Sequence, residues 1–444
     1  MIKFLHKLLQ NTEMIAALKI NIIKTAIIIF PLLSIASFHA GIPVLALLIL
    51  SLIGLFTGKY RIRIDKSEMI FLSLFFLYFL VVLINVIYFS GDFRDLDTPS
   101  RFALVIPIYF LFKNEELNNQ WIIYGLIIGS IFTGIYSLAD VFIYQITHLD
   151  NAGIISFYSS ILGLSCLSLI SDANSKKINQ ILLISSILGF LGSFLSGGRG
   201  VWISAVICLG IIFFINPMKL KVKEFFKFVS LIILVFILAI FIDNHRIGVD
   251  WLDSGEVVFT PSTTGMLNKI KETAGVVNYI EQEIQNSSNE NIINQQVYSS
   301  SGQRLEMWKA ASIIIKDNPI FGVGEGNFNE ETKLLIKENI ISPNIDYYTH
   351  PHNEYLSALV EQGLIGFVLL LFIYFLPLRY FLSELKKSQS RQKKHVSLVG
   401  AIILIHYIFY SFTSGVFDHQ TTTLFFSFML ILLFAQAKKI ESLK

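Results

Sequence analysis

Charged residues and cysteines are both scarce in this 444-residue chain. Only 15% of its residues are Asp, Glu, Lys or Arg, whereas 54% are hydrophobic, and this balance excludes an ordinary soluble globular protein. The two cysteines, Cys166 and Cys208, lie inside apolar runs, so they provide no disulfide framework and do not indicate a redox compartment. The chain also lacks the internal sequence repeat that many transporters carry. The composition therefore indicates a protein with several membrane-spanning helices.

Long apolar segments recur along the chain and predict an all-α polytopic membrane protein with about twelve transmembrane helices. The fourth segment is short and contains Pro107. The predicted spans are approximately 22–38, 42–57, 69–89, 100–112, 121–145, 153–170, 179–196, 201–216, 225–242, 356–378, 396–412 and 421–437.

The distribution of Lys and Arg predicts the orientation of these helices. With the N-terminus inside, the inner segments hold 24 Lys and Arg, whereas the short outer loops hold only Arg94, Arg101 and Arg199. Because positive charge in short loops stays cytoplasmic, both termini are expected in the cytoplasm. Three regions follow, which are helices one to nine in 1–242, a large outer loop in 243–355, and helices ten to twelve with a cytoplasmic tail in 356–444.

The end of the outer loop predicts an amphipathic helix over 303–317. Asn318-Pro319 is expected to end this helix. The side chains at helical spacing that indicate it are Leu305, Trp308, Ser312 and Ile315.

The segment His350-Pro351-His352-Asn353 stands where the tenth predicted helix begins. A titratable group at a membrane boundary is costly unless it is solvated or paired, so the position suggests a role. His352 is a candidate general base, because an imidazole that titrates near pH ~6.5 can be neutral and accept a proton; capping of the helix is the alternative. Asn353 could orient the ring, bind a sugar or cap the helix, and His350 could share the role of His352 or hold the turn.

Two arginines are candidate phosphate ligands, because the guanidinium fork matches phosphate oxygens. Arg199 follows the turn Gly197-Gly198, where glycines let backbone N–H groups approach a ligand. Arg304 stands near the start of the amphipathic helix, where the helix dipole favours an anion. The alternatives are a snorkelling arginine at a tight turn for Arg199 and a surface ion pair with Glu306 or Glu331 for Arg304.

The remaining candidates are weaker. Arg101 and Asp418 lie in predicted outer loops and are expected to be solvated charges rather than site residues. Asp92, Asp95 and Asp97 could hold a cation, but carboxylates in a solvated loop need no ligand. At His350 and His352 a metal site is disfavoured, because two histidines around a proline lack a clear third ligand.

Together these motifs resemble those of the O-antigen ligase and polymerase superfamily of membrane glycosyltransferases. The specific element is His352-Asn353, followed after nine residues by Gly363-x-x-Gly366, and it matches at every fixed position. The turn before Arg199, the Ser-Gly-x-Arg sequence that ends at Arg304 and the Pro-then-glycine turn at 318–326 match as well. The resemblance covers the whole architecture and implies the large GT-C-type glycosyltransferase fold.

The resemblance also implies a reaction on the periplasmic face of the bacterial inner membrane. A glycan is transferred from undecaprenyl diphosphate to a sugar hydroxyl, with inversion if the displacement is direct. By resemblance, Arg199 and Arg304 hold the diphosphate, His352 activates the acceptor, and neither a metal nor a cofactor is needed. His350, Asn353, Arg101 and Asp418 are further candidates for substrate binding.

The resemblance leaves the acceptor open. It is lipid A-core in a ligase, which is favoured, and a second lipid-linked repeat unit in a polymerase. A non-enzymatic transporter of lipid-linked sugars is the alternative from another class, but the unusual charges collect at the outer rim rather than within the spans. Membrane lipids are expected partners, and nucleic acid is not.

Overall fold

The computed structural model describes residues 12–35, 39–141, 152–171, 174–215, 229–239 and 300–442. Over these ranges the chain is helical and contains no β-strand. Two 3₁₀ turns lie at Phe93–Leu96 and Pro343–Ile345. The helices are α1 (Thr12–Leu33), α2 (Gly41–Phe56), α3 (Lys66–Tyr88), α4 (Ser100–Leu104), α5 (Ile106–Asn114), α6 (Asn119–Ala139), α7 (Ala152–Ser168), α8 (Lys176–Leu195), α9 (Arg199–Ile215), α10 (Val229–Ala239), α11 (Ser300–Asp317), α12 (Phe328–Lys337), α13 (Glu354–Glu361), α14 (Gly363–Lys387), α15 (Arg391–Tyr410) and α16 (Gln420–Ser442).

Six helices in the described ranges are long and apolar enough to cross a membrane, namely α1, α3, α6, α8, α14 and α16. Four shorter apolar helices, α2, α7, α9 and α10, also lie where the sequence predicts spans. The all-α class and a set of apolar spanning helices are confirmed. The count of twelve, the GT-C likeness and the orientation stay predictions.

The fourth predicted span, 100–112, is not one helix. It consists of α4 and α5, five and nine residues long, which meet at Val105. Pro107 lies in the first turn of α5, where its missing N–H costs nothing, but the same residue prevents α4 from continuing.

α16 lies in the middle of the bundle and is buried on nearly every side. Its aromatic rings stack on neighbouring helices, as Phe434 does on Phe71 of α3 with ring centroids 4.1 Å apart. Phe428 lies against Phe30 of α1, with centroids 4.2 Å apart. Such ring pairs add to the stability that burial of their apolar area provides. α16 therefore connects the two ends of the bundle through its centre.

The backbones of α6, α7 and α8 approach each other closely. A methyl group on Gly134 of α6 would lie 2.5 Å from the backbone oxygen of Leu188 in α8, and one on Gly189 of α8 would lie 2.7 Å from that of Ser159 in α7. In an apolar solvent, helices associate through close van der Waals packing rather than through the hydrophobic effect. These glycines therefore fix the spacing of the three helices.

A second apolar cluster lies outside the spanning helices, between α11, α12 and α13. It includes Met307 and Ile314 of α11, Phe328 of α12 and Val360 of α13, all buried. α11 ends at Asp317, as Asn318-Pro319 predicts. Its predicted apolar face is wrong by about one position, because Ser312 is exposed and Leu305 only partly buried, while the stripe of Met307, Ala310, Ala311 and Ile314 packs inward.

The tenth predicted span, 356–378, is broken. α13 ends at Glu361 and α14 begins at Gly363, whose φ of +66° no other residue adopts easily. The glycine turn, residues 318–327, inserts at this break, and Leu364 donates a hydrogen bond of 2.9 Å to the backbone oxygen of Pro319. Glycines about one turn apart in an apolar segment commonly allow two helices to pack closely. Instead Gly363 faces the Ile320 backbone, and Gly366 faces the Gln362 side chain.

Candidate active site

The His350–Asn353 segment forms a tight turn that leads into α13. Asn353 is the helix N-cap, because its Oδ1 accepts hydrogen bonds from the N–H groups of Tyr355 (3.0 Å) and Leu356 (3.2 Å). Trp308 of α11 donates 3.0 Å to the backbone oxygen of Pro351. His352 itself has φ +50°, and a left-handed backbone at a non-glycine residue is strained and clusters at functional sites.

The loop of residues 411–419 holds this turn in place. The Glu354 N–H donates to the backbone oxygens of Ser411 (2.9 Å) and Ser414 (3.2 Å). The Glu354 carboxyl accepts 2.9 Å from the Phe417 N–H, and Asn353 Nδ2 donates 3.2 Å to the Phe412 oxygen. The turn and the loop therefore form one unit. With both of its side-chain ends used in this way and only 7% of its surface exposed, Asn353 is a structural cap.

Three imidazoles and one carboxylate meet in this unit. The rings of His350 and His352 lie 4.4 Å apart between centroids, and those of His350 and His419 lie 6.0 Å apart. His350 Nδ1 lies 3.6 Å from Asp418 Oδ2. Tyr348 packs edge-on against His352, with centroids 5.3 Å apart. His350, His352 and His419 are called the histidine cluster below.

His352 is held in its neutral form. Partial burial lowers its pKa to about 3, and the nearby His350, Arg304 and His419 contribute in that order. A neutral imidazole is the form that can accept a proton. Because three of the four causes are neighbouring cationic or potentially cationic groups, an anion bound among them would raise this pKa again.

Arg304 lies beside the histidine cluster, on the second turn of α11. Its charge acts on His352, and it also opposes the rise in the pKa of Tyr348 that burial causes. Next to it, Gln303 accepts a hydrogen bond of 2.8 Å from the Tyr348 hydroxyl. The structure therefore brings together five of the residues predicted from the sequence, namely Arg304, His350, His352, Asn353 and Asp418.

The side chain of Arg199 lies outside what the structure describes, but its backbone begins α9. Gly198 and Gly200, on either side of Arg199, both pack closely against other segments of the chain. A methyl group on Gly198 would lie 2.7 Å from Ser156, and one on Gly200 would meet the Thr413 side chain. Since Thr413 belongs to the 411–419 loop, the backbone at Arg199 lies against the unit that holds the histidine cluster.

Arg101 and the three aspartates have other partners. Arg101 forms an ion pair of 2.8 Å with Asp97, and both contact Gln420 at the start of α16. Asp92 caps the 3₁₀ turn by accepting 2.9 Å from the Arg94 N–H. Asp95 faces the Gly326 backbone. Across the described ranges, no group of three His, Cys, Asp or Glu side chains has a geometry that fits a metal ion.

A partly buried acidic cluster adjoins the site, and sequence reasoning missed it. Glu325 of the glycine turn, Glu354 and Glu361 of α13, and Asp418 line a cavity of about 10 Å³, roughly the space of one water molecule. Burial raises the pKa of Glu325 to about 7, and burial with the charge of Asp418 raises that of Glu354. The seven-residue spacing of Glu354 and Glu361, which places both on one helix face, is the signal that could have revealed it.

The glycine turn fixes this cluster through hydrogen bonds to the break between α13 and α14. The N–H groups of Val323 and Gly324 donate to the backbone oxygens of Val360 (2.8 Å) and Glu361 (3.0 Å). Asn85 of α3 donates to the Phe321 oxygen (3.2 Å) and the Glu361 oxygen (3.0 Å) and accepts from the Glu325 N–H (2.7 Å). A single side chain thus connects a spanning helix, the turn and the break.

Comparison with known proteins connects this geometry with a family. Residues 184–371 match the O-antigen ligase family, and this segment contains Arg199, Arg304, the glycine turn and the complete histidine motif. The chain is also similar to an uncharacterised protein of Haemophilus influenzae, with 27% identity over 405 residues that cover 86% of this chain and 91% of that protein. This match over 184–371 supports the resemblance of the chain to the O-antigen ligase superfamily.

Proposed function

We propose that this protein is an O-antigen ligase that transfers a glycan from undecaprenyl diphosphate to a sugar hydroxyl of lipid A-core. The match to the O-antigen ligase family supports a ligase or polymerase type of function. The observation that carries the catalytic part is the neutral, backbone-strained His352 beside the permanent cation of Arg304. A base close to an anion ligand is what glycosyl transfer from a diphosphate requires.

In the proposed mechanism, Arg304 and Arg199 bind the diphosphate and stabilise the charge that builds on it as the glycosidic bond breaks. His352 accepts the proton of the acceptor hydroxyl as that oxygen attacks the anomeric carbon. The diphosphate leaves from the opposite face, so the configuration at the anomeric carbon inverts. Bound diphosphate raises the pKa of His352 by offsetting the neighbouring positive charges, which strengthens the base when the donor is in place.

Deletion of the gene in its host distinguishes ligase from polymerase. Without a ligase, full-length polymer accumulates on the lipid carrier and the core stays uncapped. Without a polymerase, core carries a single repeat unit. We expect the first pattern, and the second would assign the protein to the polymerase branch.

Reconstitution in detergent tests the enzyme against a transporter. Purified protein given lipid-linked donor and lipid A-core should form product although no membrane separates two sides. The assay contains excess EDTA, because the mechanism uses arginines rather than a metal to stabilise the leaving group. Transport in vesicles without product in detergent would contradict an enzymatic role, and activity restored by Mg²⁺ would contradict metal independence.

A further inference from the structure

A basic groove opens at the end of the bundle opposite the histidine cluster. It has a volume of about 480 Å³ and is lined by Arg63, Ile64, Asp65, Glu68, Lys113, Lys438 and Lys439. α3 runs from this groove at Lys66 to the glycine turn at Asn85, a rise of roughly 28 Å. The groove is therefore separate from the proposed active site, and the distribution of Lys and Arg predicts that it faces the cytoplasm.

The groove has more positive than negative charge. Its four cations face two carboxylates, and both carboxylates already have a partner. Lys113 Nζ lies 2.7 and 2.8 Å from the two Glu68 oxygens, and Lys438 Nζ lies 2.8 Å from Asp65. Lys439 donates to the backbone carbonyl of Glu115, and the charges of Glu116 and Glu115 act on it as well. Among the described residues, none accepts a hydrogen bond from the exposed Arg63 guanidinium. The cations that line the groove therefore outnumber the carboxylates that line it by two, and this excess favours an anionic ligand.

Further lysines beside the groove increase this excess. The Glu115 carboxylate, whose backbone meets Lys439, pairs with Lys19. Lys19 in turn lies against Lys59, and its hydrogen bond and charge lower the pKa of Lys59. Like charges held together in this way are relieved by a bound anion.

Apolar side chains next to these cations indicate the kind of anion. Ile62 is 66% exposed and Ile64 is 41% exposed, and both flank Arg63 in the sequence. A soluble anion gains nothing from exposed isoleucines, whereas an acyl chain below a phosphate does. We propose that the basic groove binds the phosphate of an anionic phospholipid headgroup, with Arg63 and Lys439 as its ligands and Ile62 and Ile64 along the acyl chain.

Native mass spectrometry of the full-length protein in detergent tests this site, with phosphatidylglycerol and phosphatidylcholine as probes. The test variant is Arg63→Gln with Lys439→Gln. The matched control is Lys386→Gln with Lys387→Gln, which removes the same charge from exposed positions at the end of α14. Because each basic residue near an anionic lipid contributes about 1 kcal/mol, the test variant should retain phosphatidylglycerol roughly 20- to 30-fold less well than wild type.

The control variant should retain phosphatidylglycerol as wild type does, and phosphatidylcholine should bind weakly to all three proteins. Unchanged thermal unfolding and glycan transfer would establish that the test variant folds. Displacement of the lipid by inorganic phosphate would overturn the lipid assignment in favour of a soluble phosphate. Equal retention by test variant and wild type would overturn the site itself. Neither outcome depends on the proposed transfer reaction.

Discussion

Replacement of His352 by alanine should reduce glycan transfer by about 10²–10⁴-fold, the usual contribution of a general base. Retention of the lipid-linked donor should persist, because in the proposed mechanism the arginines bind the diphosphate. His350→Ala should have a milder effect, and His39→Ala, at an exposed position between α1 and α2, should have none. Near-normal turnover in His352→Ala together with loss in His350→Ala would move the base to His350; normal turnover in both would make Asp418 the next candidate.

The pKa of His352 also predicts the pH dependence of transfer. In the free protein the pKa is about 3, whereas bound diphosphate raises it. The acid limb of kcat, which reports the donor complex, should therefore lie at higher pH than the acid limb of kcat/KM. Coincident limbs would contradict a base that responds to the donor.

Arg304→Lys should lose most transfer activity, since a point charge lacks the two-pronged donor geometry of a guanidinium. Arg199→Lys should behave alike. Arg94→Lys, at an exposed loop position, is the matched control and should be fully active. Steady-state transfer by the three purified variants is the measurement, and wild-type rates in Arg304→Lys would leave that residue a structural role only.

Glu325 should make the protein less stable at alkaline pH. Its folded-state pKa of about 7 lies above the ordinary value of 4.5, so its contribution to stability is present below pH 4.5 and is lost as pH rises through 7. The loss amounts to roughly 3–4 kcal/mol. The thermal stability of the wild type should decline between about pH 5 and pH 9. Glu325→Gln should reduce this decline. Glu338→Gln, at an exposed position, is the control and should leave the decline unchanged. An equal decline in all three proteins would assign the effect to other groups.

At the scale of the elements, local signals predicted well and long-range contacts did not. The end of α11 at Asn318-Pro319 and the glycine turn follow from neighbouring residues, and the structure has both. The break between α13 and α14 at Gly363 could not be predicted from neighbouring residues, because the hydropathy is continuous through it. Its cause is a long-range contact, the close approach of the Ile320 backbone to Gly363. The hydrogen bonds of Asn85 could not be predicted either, since the sequence around a single amide in an apolar helix does not indicate which distant residue it contacts.

The same reasoning applies to the site. His352 and Arg304 were predicted from a motif and from helix position, and the structure brings them together. Asn353 caps α13, which is one of the roles expected for it, and substrate binding by Asn353 stays a prediction. The role of Asn353 could not be chosen from the sequence, because a cap and a ligand need the same amide at the same position.

Gly322→Ala should destabilise the junction between the glycine turn and α13. At Gly322, φ is +70° and a methyl group would lie 2.5 Å from the Val360 backbone oxygen. Gly58 is a matched control, with φ +68° and open space around it. Gly58→Ala should cost about 1–2 kcal/mol for the left-handed backbone alone, and Gly322→Ala should cost more and also reduce transfer. Equal losses of thermal stability in Gly322→Ala and Gly58→Ala would mean that the junction accommodates the added methyl group without a further loss of stability.

At the scale of the whole molecule, orientation is the main open prediction. Both native cysteines are fully buried, so introduced cysteines can be labelled against a low background. A membrane-impermeant maleimide applied to intact spheroplasts should modify cysteines at the exposed positions 93 and 347. It should not modify cysteines at 61 and 387 until the membrane is opened. The reverse pattern would place the histidine cluster in the cytoplasm and exclude the proposed donor side.

The hydrogen bonds of Asn85 have a consequence for biosynthesis. Its acceptor at Glu361 lies 276 residues further along the chain. At a translation rate of about 5–20 residues per second, α3 enters the membrane roughly 15–55 s before that acceptor is made. During this interval the amide has to face lipid, a transient partner or an insertion factor, so nascent chains stopped before residue 361 should be the forms that cellular quality control recognises.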